Sequence, residues 1–196
     1  MYYEGRSYNG FSHDEVTEKG CGKNDVMQFK SGLLTRGVLI DIARLKGAPY
    51  LEPGTPVYPE DIEAWEKYAR VKVTSGDAVF IRTGRYKREA EKGVWNLVND
   101  AAGPHASVAR WLKSRDVALF GSDVANELKP SGVAGVTQPI HQLLLVSMGV
   151  PLFDNLDLEL LSQQAYRRHR WEFMFMAAPL AVPGGTGSPL NPIATF

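Results

Sequence analysis

The chain has 196 residues, of which 44% are hydrophobic, and we expect a single domain over residues 1–196 with a sizeable core. Lysine plus arginine and aspartate plus glutamate number 22 each, so no net charge favours a nucleic acid or an anionic membrane as the partner. A small-molecule substrate or another protein is the partner that this composition favours.

Cys21 is the single cysteine, which excludes a disulfide within the chain and a cysteine-rich zinc cluster. No apolar run approaches the ~18 residues that a membrane span requires. The first residues, Met1–Arg6, lack the apolar segment of a signal peptide. These features together predict a cytoplasmic protein.

In the first third of the chain, a segment with a weak hydrophobic pattern is followed by segments with a strong one. Met1–Gly32 predicts a loop with a short helix at Asp14–Lys19. Gly37–Ala43 is an apolar run that predicts a buried strand, and Thr55–Asp61 is typical of a helix start. The buried stripe predicted for that helix consists of Ile62, Trp65, Tyr68 and Ala69.

The middle and end of the chain continue this alternation of strands and helices. Ala78–Ile81 predicts a second buried strand, and the polar segment Arg85–Gly103 predicts a surface excursion. Alternating elements of this kind are typical of an α/β fold. The further predicted helices are His105–Arg115 and Leu158–Tyr166, and the further predicted strands are Val117–Phe120 and Glu172–Ala178.

A helix that turns straight into a strand is predicted at Pro139–Asn155. From His141 to Met148 the helix would climb roughly 10 Å at ~1.5 Å per residue. The returning strand to Asp154 would descend roughly 13 Å at ~3.3 Å per residue. The imidazole and the carboxylate then meet at one edge of the domain, as in a fragment of a metal site. The same two residues also suit a helix start and a helix cap.

Three other segments have both a functional and a structural interpretation. Asp123 follows a strand at the carboxyl edge where α/β sheets place their chemistry, although a turn cap also suits it. Arg167–Arg170 has the charge to bind an anion, or to cap a helix end. Gly184–Gly187 resembles a phosphate loop, but no lysine follows it and Pro189 prevents a helix start, so we expect a rigid corner there.

Several blocks of residues occur in a characteristic order. They are Arg36–Asp41, Gly76–Asp77 with Ile81–Gly84, Gly121–Asp123, Pro139–His141 with Asp154–Leu156, and the closing segment Gly-Gly-Thr-Gly-Ser-Pro-Leu-Asn-Pro. Together, over residues 8–196, they resemble the cyclase family of metal-dependent hydrolases, which includes bacterial kynurenine formamidase and isatin hydrolase.

The resemblance implies a swivelling β/β/α fold, a homo-oligomer, and a zinc or manganese ion that activates water against an amide or lactam carbonyl. It maps two of the family's metal ligands onto His141 and Asp154. The family's main signature, His-x-Gly-Thr-His-x-Asp-x-x-x-His, is absent, and Tyr3–Gly10 resembles the segment that follows it. We therefore expect an N-terminally truncated fold in which metal binding is weak or lost and no catalytic residue is assigned.

The function implied is hydrolysis of an amide or cyclic amide, in the manner of an arylformamidase that converts N-formylkynurenine to kynurenine. The alternative is a catalytically silent homologue that serves as a binding or assembly partner. A lyase or cyclase reaction on a small carbonyl compound is a third interpretation. His105 and Asp123 are the candidates for the substrate-binding wall, with helix-start and turn roles as their structural alternatives.

Overall fold

The computed structural model describes all 196 residues, and its centre is a mixed sheet. The strands are β1 (Val16–Thr17), β2 (Gly20–Cys21), β3 (Leu33–Asp41), β4 (Pro56–Val57), β5 (Ala78–Arg82), β6 (Gly103–Pro104), β7 (Leu119–Ser122), β8 (Leu152–Phe153), β9 (Glu172–Ala177) and β10 (Ile193–Thr195). The helices are α1 (Ile42–Leu45), α2 (Pro59–Ala69), α3 (Arg85–Lys92), α4 (Val108–Ser114), α5 (Pro139–His141) and α6 (Glu159–Arg168).

Shorter helical segments complete the inventory. Helix α5 continues without a break as a wider π-helical segment, Gln142–Met148. Three 3₁₀ turns lie in the first thirty residues, at Tyr8–Gly10, His13–Glu15 and Val26–Phe29. No helix is both long enough and apolar enough to cross a membrane.

The central sheet has six strands in the order β10-β9-β3-β5-β7-β8. Strands β3, β5, β7 and β8 run parallel, β9 pairs antiparallel with β3, and β10 pairs antiparallel with β9. The carboxyl ends of four strands therefore meet at one edge, where an α/β sheet usually places its ligand site. This topology confirms the predicted α/β class.

The core forms where the apolar runs of the sequence lie in the central strands. All five residues of β5 are buried, as are the last five of β3. Trp65 of α2 is buried and donates its indole N–H to the carbonyl of Leu39 over 2.9 Å, which fixes that helix on the sheet. A Cβ at Gly37 would lie only 2.3 Å from the ring of Phe173, so the close packing of β3 and β9 requires glycine there.

A second buried feature is a charged network that joins three elements beneath the sheet edge. Arg82 of β5 bonds Asp41 of β3 over 2.9 Å and Glu159 of α6 over 2.8 Å. Ser162 of α6 donates its hydroxyl to the second oxygen of Asp41 over 2.5 Å. Every nitrogen of the Arg82 guanidinium has an acceptor, because Nη2 also bonds the carbonyl of Pro49.

Two predictions made from the sequence are wrong, and the predicted surface excursion Arg85–Gly103 has more regular structure than its pattern indicates. Asp14–Lys19 does not form a helix, since the chain reverses there in a short hairpin of β1 and β2. The first part of Arg85–Gly103 is helix α3, whose charged side chains pair at four-residue spacing, as Lys87 and Glu91 do at 3.1 Å. Tyr68 does not belong to the buried stripe of α2, because it is 54% exposed.

The predicted corner at Gly184–Gly187 is confirmed. A Cβ at Gly20 would lie 2.6 Å from the carbonyl oxygen of Gly184, so the two backbones touch. The amide of Cys21 donates to that same carbonyl over 2.8 Å, and the amide of Val26 donates to Gly185 over 2.7 Å. After this corner the tail adds edge strand β10, which the sequence pattern does not predict.

Candidate metal centre

His141 and Asp154 lie side by side at the carboxyl edge of the sheet. His141 is the last residue of α5, and Asp154 follows β8 directly. Their nearest atoms, Nε2 and Oδ2, are 3.6 Å apart. The proximity predicted from the rise of the helix and the return of the strand is therefore confirmed.

The imidazole is held from its other nitrogen by Glu127, which the sequence pattern does not identify. One oxygen of Glu127, Oε1, accepts from the backbone N–H of His141 over 2.9 Å and pairs with its ring Nδ1 over 3.0 Å. The Glu127 side chain is 1% exposed, whereas that of His141 is 12% exposed. The ring therefore presents Nε2 to Asp154 and turns Nδ1 toward a buried carboxylate.

The Asp154 carboxylate is held in the same way by Asn126, which is fully buried. The amide nitrogen Nδ2 of Asn126 donates to Asp154 Oδ1 over 2.6 Å and to the carbonyl of Phe153 over 3.0 Å. Because Oδ1 is used in this bond, Oδ2 is the oxygen that faces the imidazole. The Asp154 side chain remains 37% exposed, so this face of the pair is open to solvent.

Backbone hydrogen bonds join the two loops that carry these residues. The amide of Asn155 donates to the carbonyl of Val124 over 2.9 Å, and that of Leu156 donates to Ser122 over 3.0 Å. The loop after β7 and the loop after β8 are therefore fixed relative to each other. Asn126 and Asn155 both adopt left-handed backbone conformations, with φ of 49° and 58°, which asparagine tolerates better than most residues.

Two carboxylates surround the imidazole and determine its charge. Burial on its own would lower the pKa of His141, but the nearby carboxylate of Asp154 and the hydrogen-bonded carboxylate of Glu127 outweigh burial and raise the pKa to about 9. The metal-free centre therefore carries an imidazolium at neutral pH. A metal ion that binds Nε2 must displace this proton.

The pair opens onto a cleft of about 1130 Å³. Its floor includes Phe153 and Phe175, whose ring centroids are 5.8 Å apart. Its walls come from the first thirty residues, including Lys23, and from the tail segment Thr186–Ala194. The cleft thus combines an aromatic floor with a polar corner formed by His141 and Asp154.

The other two site residues predicted from the sequence lie elsewhere. Asp123 is buried, and its carboxylate accepts bonds from the backbone amides of residues 83, 84 and 85 and from the Thr83 hydroxyl, over 2.7 to 3.1 Å. Burial raises the pKa of Asp123, and these donors oppose the rise. His105 pairs with Ser107 over 2.9 Å. Neither residue lines the cleft, and a substrate-binding role for His105 and Asp123 stays a prediction.

The donors present fit a divalent ion in type but not in number. An imidazole nitrogen and a carboxylate oxygen suit zinc or manganese, and a buried carboxylate on the far ring nitrogen is typical of metal-bound histidines. No group of three or more His, Cys, Asp or Glu side chains is positioned to hold a metal in these 196 residues. A catalytic zinc usually has three protein ligands, so His141 and Asp154 supply only part of such a centre.

The sequence only weakly indicates a role for Asn126 and Glu127, the residues that hydrogen-bond Asp154 and His141. They follow β7 at the carboxyl edge, only a few positions beyond Asp123, so the rule that selects Asp123 also reaches them. No spacing rule connects Glu127 with His141, which lies fourteen residues further on. The contact depends on the course of the loop between them.

The fold and the site define an α/β protein with a histidine–carboxylate pair at the edge of its sheet. The sequence profile of the Cyclase family matches residues 10–126, which is more than half of the chain. The chain therefore belongs to the cyclase family. A search among curated proteins found no match.

Solved structures of this family share the fold. A crystal structure of a novel cyclase matches with 29% identity and a TM-score of 0.89, over the whole chain and 66% of that protein. Isatin hydrolase A from Labrenzia aggregata, bound to benzyl benzoate, matches with 23% identity and a TM-score of 0.67, over 88% of the chain and 67% of that protein. A potential metal-dependent hydrolase with cyclase activity matches with 19% identity and a TM-score of 0.59, over 92% of the chain and 73% of that protein.

The chain is shorter than the proteins of known structure that it matches. It spans 66% of the novel cyclase and 62% of an isatin hydrolase bound to the product analogue thioisatinate, slightly under two thirds of each. The matches at 18% to 23% identity show the fold alone.

Proposed function

We propose that the protein is a metal-dependent hydrolase of an amide or cyclic amide, in the manner of an arylformamidase, and that His141 and Asp154 are among its metal ligands. The observation that carries the proposal is the 3.6 Å approach of Nε2 and Oδ2, with the ring fixed from behind by Glu127. Membership of the cyclase family and the shared fold with an isatin hydrolase and a potential metal-dependent hydrolase support the reaction class.

Each part of the site has a role in this proposal. A bound zinc or manganese ion would supply a Lewis acid and an activated water. His141 and Asp154 would hold such an ion, and Asp154 is partly exposed to the cleft. The floor of Phe153 and Phe175 receives an aromatic or other apolar part of the substrate and keeps water from it.

The number of protein ligands predicts the metal affinity and the turnover of the chain. Because two protein ligands hold a zinc ion less firmly than three, we expect weak metal binding and low turnover for the chain by itself. The substrate is proposed to be a small molecule, and neither nucleic acid nor membrane is a proposed partner. A homo-oligomer and a cytoplasmic location also stay predictions.

A catalytically silent homologue that acts in binding or assembly is the second candidate. The absence of any group of three donors among the 196 residues favours it. In this case the cleft binds a ligand without turning it over. The two candidates differ in whether added metal produces turnover.

The deciding experiment measures metal content and hydrolysis on the purified chain. We expect hydrolysis of N-formylkynurenine or of isatin to depend on added zinc or manganese and to be lost in H141A. The matched control is H169N, because His169 is exposed, does not line the cleft and has a left-handed backbone that asparagine tolerates. No turnover at saturating metal would reject the hydrolase and favour the silent homologue.

A further inference from the structure

Each of the two candidate metal ligands is hydrogen-bonded by one of two consecutive residues, Asn126 and Glu127. Asn126 donates to Asp154 over 2.6 Å, and Glu127 binds the ring of His141 over 3.0 Å. Both side chains are buried, at 0% and 1% exposure. The left-handed backbone at Asn126, with φ of 49°, allows the chain to direct one side chain to the loop after β8 and the next to helix α5.

Asn126 and Glu127 each bury a polar atom in a way that lowers the stability of the fold. The second oxygen of Glu127, Oε2, and the side-chain oxygen of Asn126, Oδ1, are buried and have no hydrogen-bond partner. Buried polar atoms without partners destabilise a fold, and apolar residues of similar volume at such positions are often neutral or stabilising. The bonds that these side chains do make converge on His141 and Asp154.

The bond from Glu127 also has a directional consequence. Because Oε1 pairs with Nδ1 and with the backbone N–H of His141, it fixes the ring both in rotation and along the helix. Asn126 fixes Asp154 through Oδ1, so that Oδ2 faces Nε2 of His141. The two constraints together direct Nε2 and Oδ2 toward a common point.

We propose that Asn126 and Glu127 are positioning residues, which set the affinity of this centre for a divalent ion by directing the His141 ring and the Asp154 carboxylate to one point. The inference rests on the metal-binding part of the proposed function. It assigns no contact with the ion or the substrate to Asn126 or Glu127 themselves.

The first test detects the position of the ring without any metal. In the full chain, labelled with ¹⁵N, the Nδ1–H proton of His141 is buried against Glu127 and should give a slowly exchanging resonance at low field. We expect E127A to lose this resonance and E127Q, whose amide oxygen still accepts the bond, to retain it. The control is S162A, which changes a buried polar residue of the separate Asp41 network. A resonance that E127A leaves unchanged would overturn the proposal.

The second test measures binding of Co²⁺ by calorimetry. We expect N126G and E127A each to weaken binding by roughly tenfold or more, E127Q to remain within about threefold of the native chain, and S162A to have no effect. N126G removes the side chain that holds Asp154, and glycine adopts the φ of 49° at this position without strain, so this variant provides an arm independent of any folding defect in E127A. Affinities for Co²⁺ equal to that of S162A would overturn the proposal.

Turnover separates this inference from the proposed function. A chain that shows the expected pattern of Co²⁺ affinities but hydrolyses no amide rejects the hydrolase and supports the positioning roles. Metal-dependent turnover that E127A and N126G leave unchanged rejects the positioning roles and supports the hydrolase.

Discussion

Two buried polar clusters lie along the same sheet, and they differ in whether the residue at their centre is fully hydrogen-bonded. In the first, Arg82 joins Asp41 and Glu159, and all three of its nitrogens have acceptors. In the second, Glu127 keeps one oxygen without a partner while the other holds His141. The first cluster is closed upon itself, whereas the second opens through Asp154 to the cleft.

The difference separates residues that stabilise the fold from residues that are available for a ligand. A buried ion pair whose hydrogen bonds are all made has no capacity left for a ligand, although removing one member is costly. A cluster with unused acceptors and an open side is less stable by itself and gains from a bound cation. Changes in the first cluster should therefore affect stability, and changes in the second should affect metal binding and the pH dependence of stability.

The largest expected effect is that of Arg82→Met. Loss of the guanidinium leaves the buried carboxylate of Asp41 without its main counter-ion, and we expect the free energy of unfolding to fall by about 4 kcal/mol. Urea unfolding measures the change. The matched control is Lys87→Met, which breaks an exposed pair on α3 and should alter stability little. Equal effects of the two substitutions would contradict the assignment of Arg82 to the scaffold.

The pH dependence of stability should identify the second cluster. The pKa of His141 in the folded protein is raised from 6.5 to about 9, so its charged ring stabilises the metal-free fold fully below pH 6.5. This stabilisation, up to about 3 kcal/mol, should be lost as the pH rises from 6.5 to about 9. Urea unfolding at several pH values measures it. H141Q should abolish the slope, and a slope that persists in H141Q would assign it to other groups.

Asp123→Ala should have an intermediate effect. Its carboxylate accepts bonds from the amides that open helix α3, so its loss is equivalent to removing a helix cap and should cost about 2 kcal/mol. Amide exchange at Thr83, Gly84 and Arg85 should accelerate, and hydrogen exchange measures this directly. If substrate binding changes while these amides remain protected, the substrate-binding prediction for Asp123 gains support.

The smallest effect on stability is expected for Asp154→Ala. The residue is partly exposed, and Asn126 retains its bond to the carbonyl of Phe153, so above about pH 9, where the His141 ring has lost its charge, the free energy of unfolding should change by no more than about 1 kcal/mol. Zinc affinity should nevertheless fall by at least about tenfold, as measured by competition with a chelator dye. A large loss of stability with unchanged zinc affinity would place Asp154 in the scaffold.

The sequence predicts most of the central sheet because burial leaves a clear pattern there. Strand β5 is a continuous apolar run, and helix α2 combines an early proline with acids in its first turn. Helix α3 is not predicted because its side chains are charged and none is buried, so no apolar stripe marks it. Strand β10 is three exposed residues that depend on β9 for their pairing.

Two residues of the candidate centre can be predicted from the sequence, and the two that hydrogen-bond them cannot. His141 and Asp154 belong to one local reversal of the chain, so the lengths of the helix and strand predict that they meet. Asn126 and Glu127 reach them from the loop after β7. The course of that loop depends on its hydrogen bonds to helix α5 and to the loop after β8. No local rule encodes that approach.

The contact between Gly20 and Gly184 links segments from opposite ends of the chain. Residues near each glycine form walls of the same cleft, and backbone bonds from Cys21 and Val26 fasten the two walls together. The cleft can therefore widen only if both segments move together. During synthesis, the hairpin that contains Gly20 cannot make this contact until Gly184 has emerged, so this side of the cleft takes shape only after strands β3 to β9 have been synthesised.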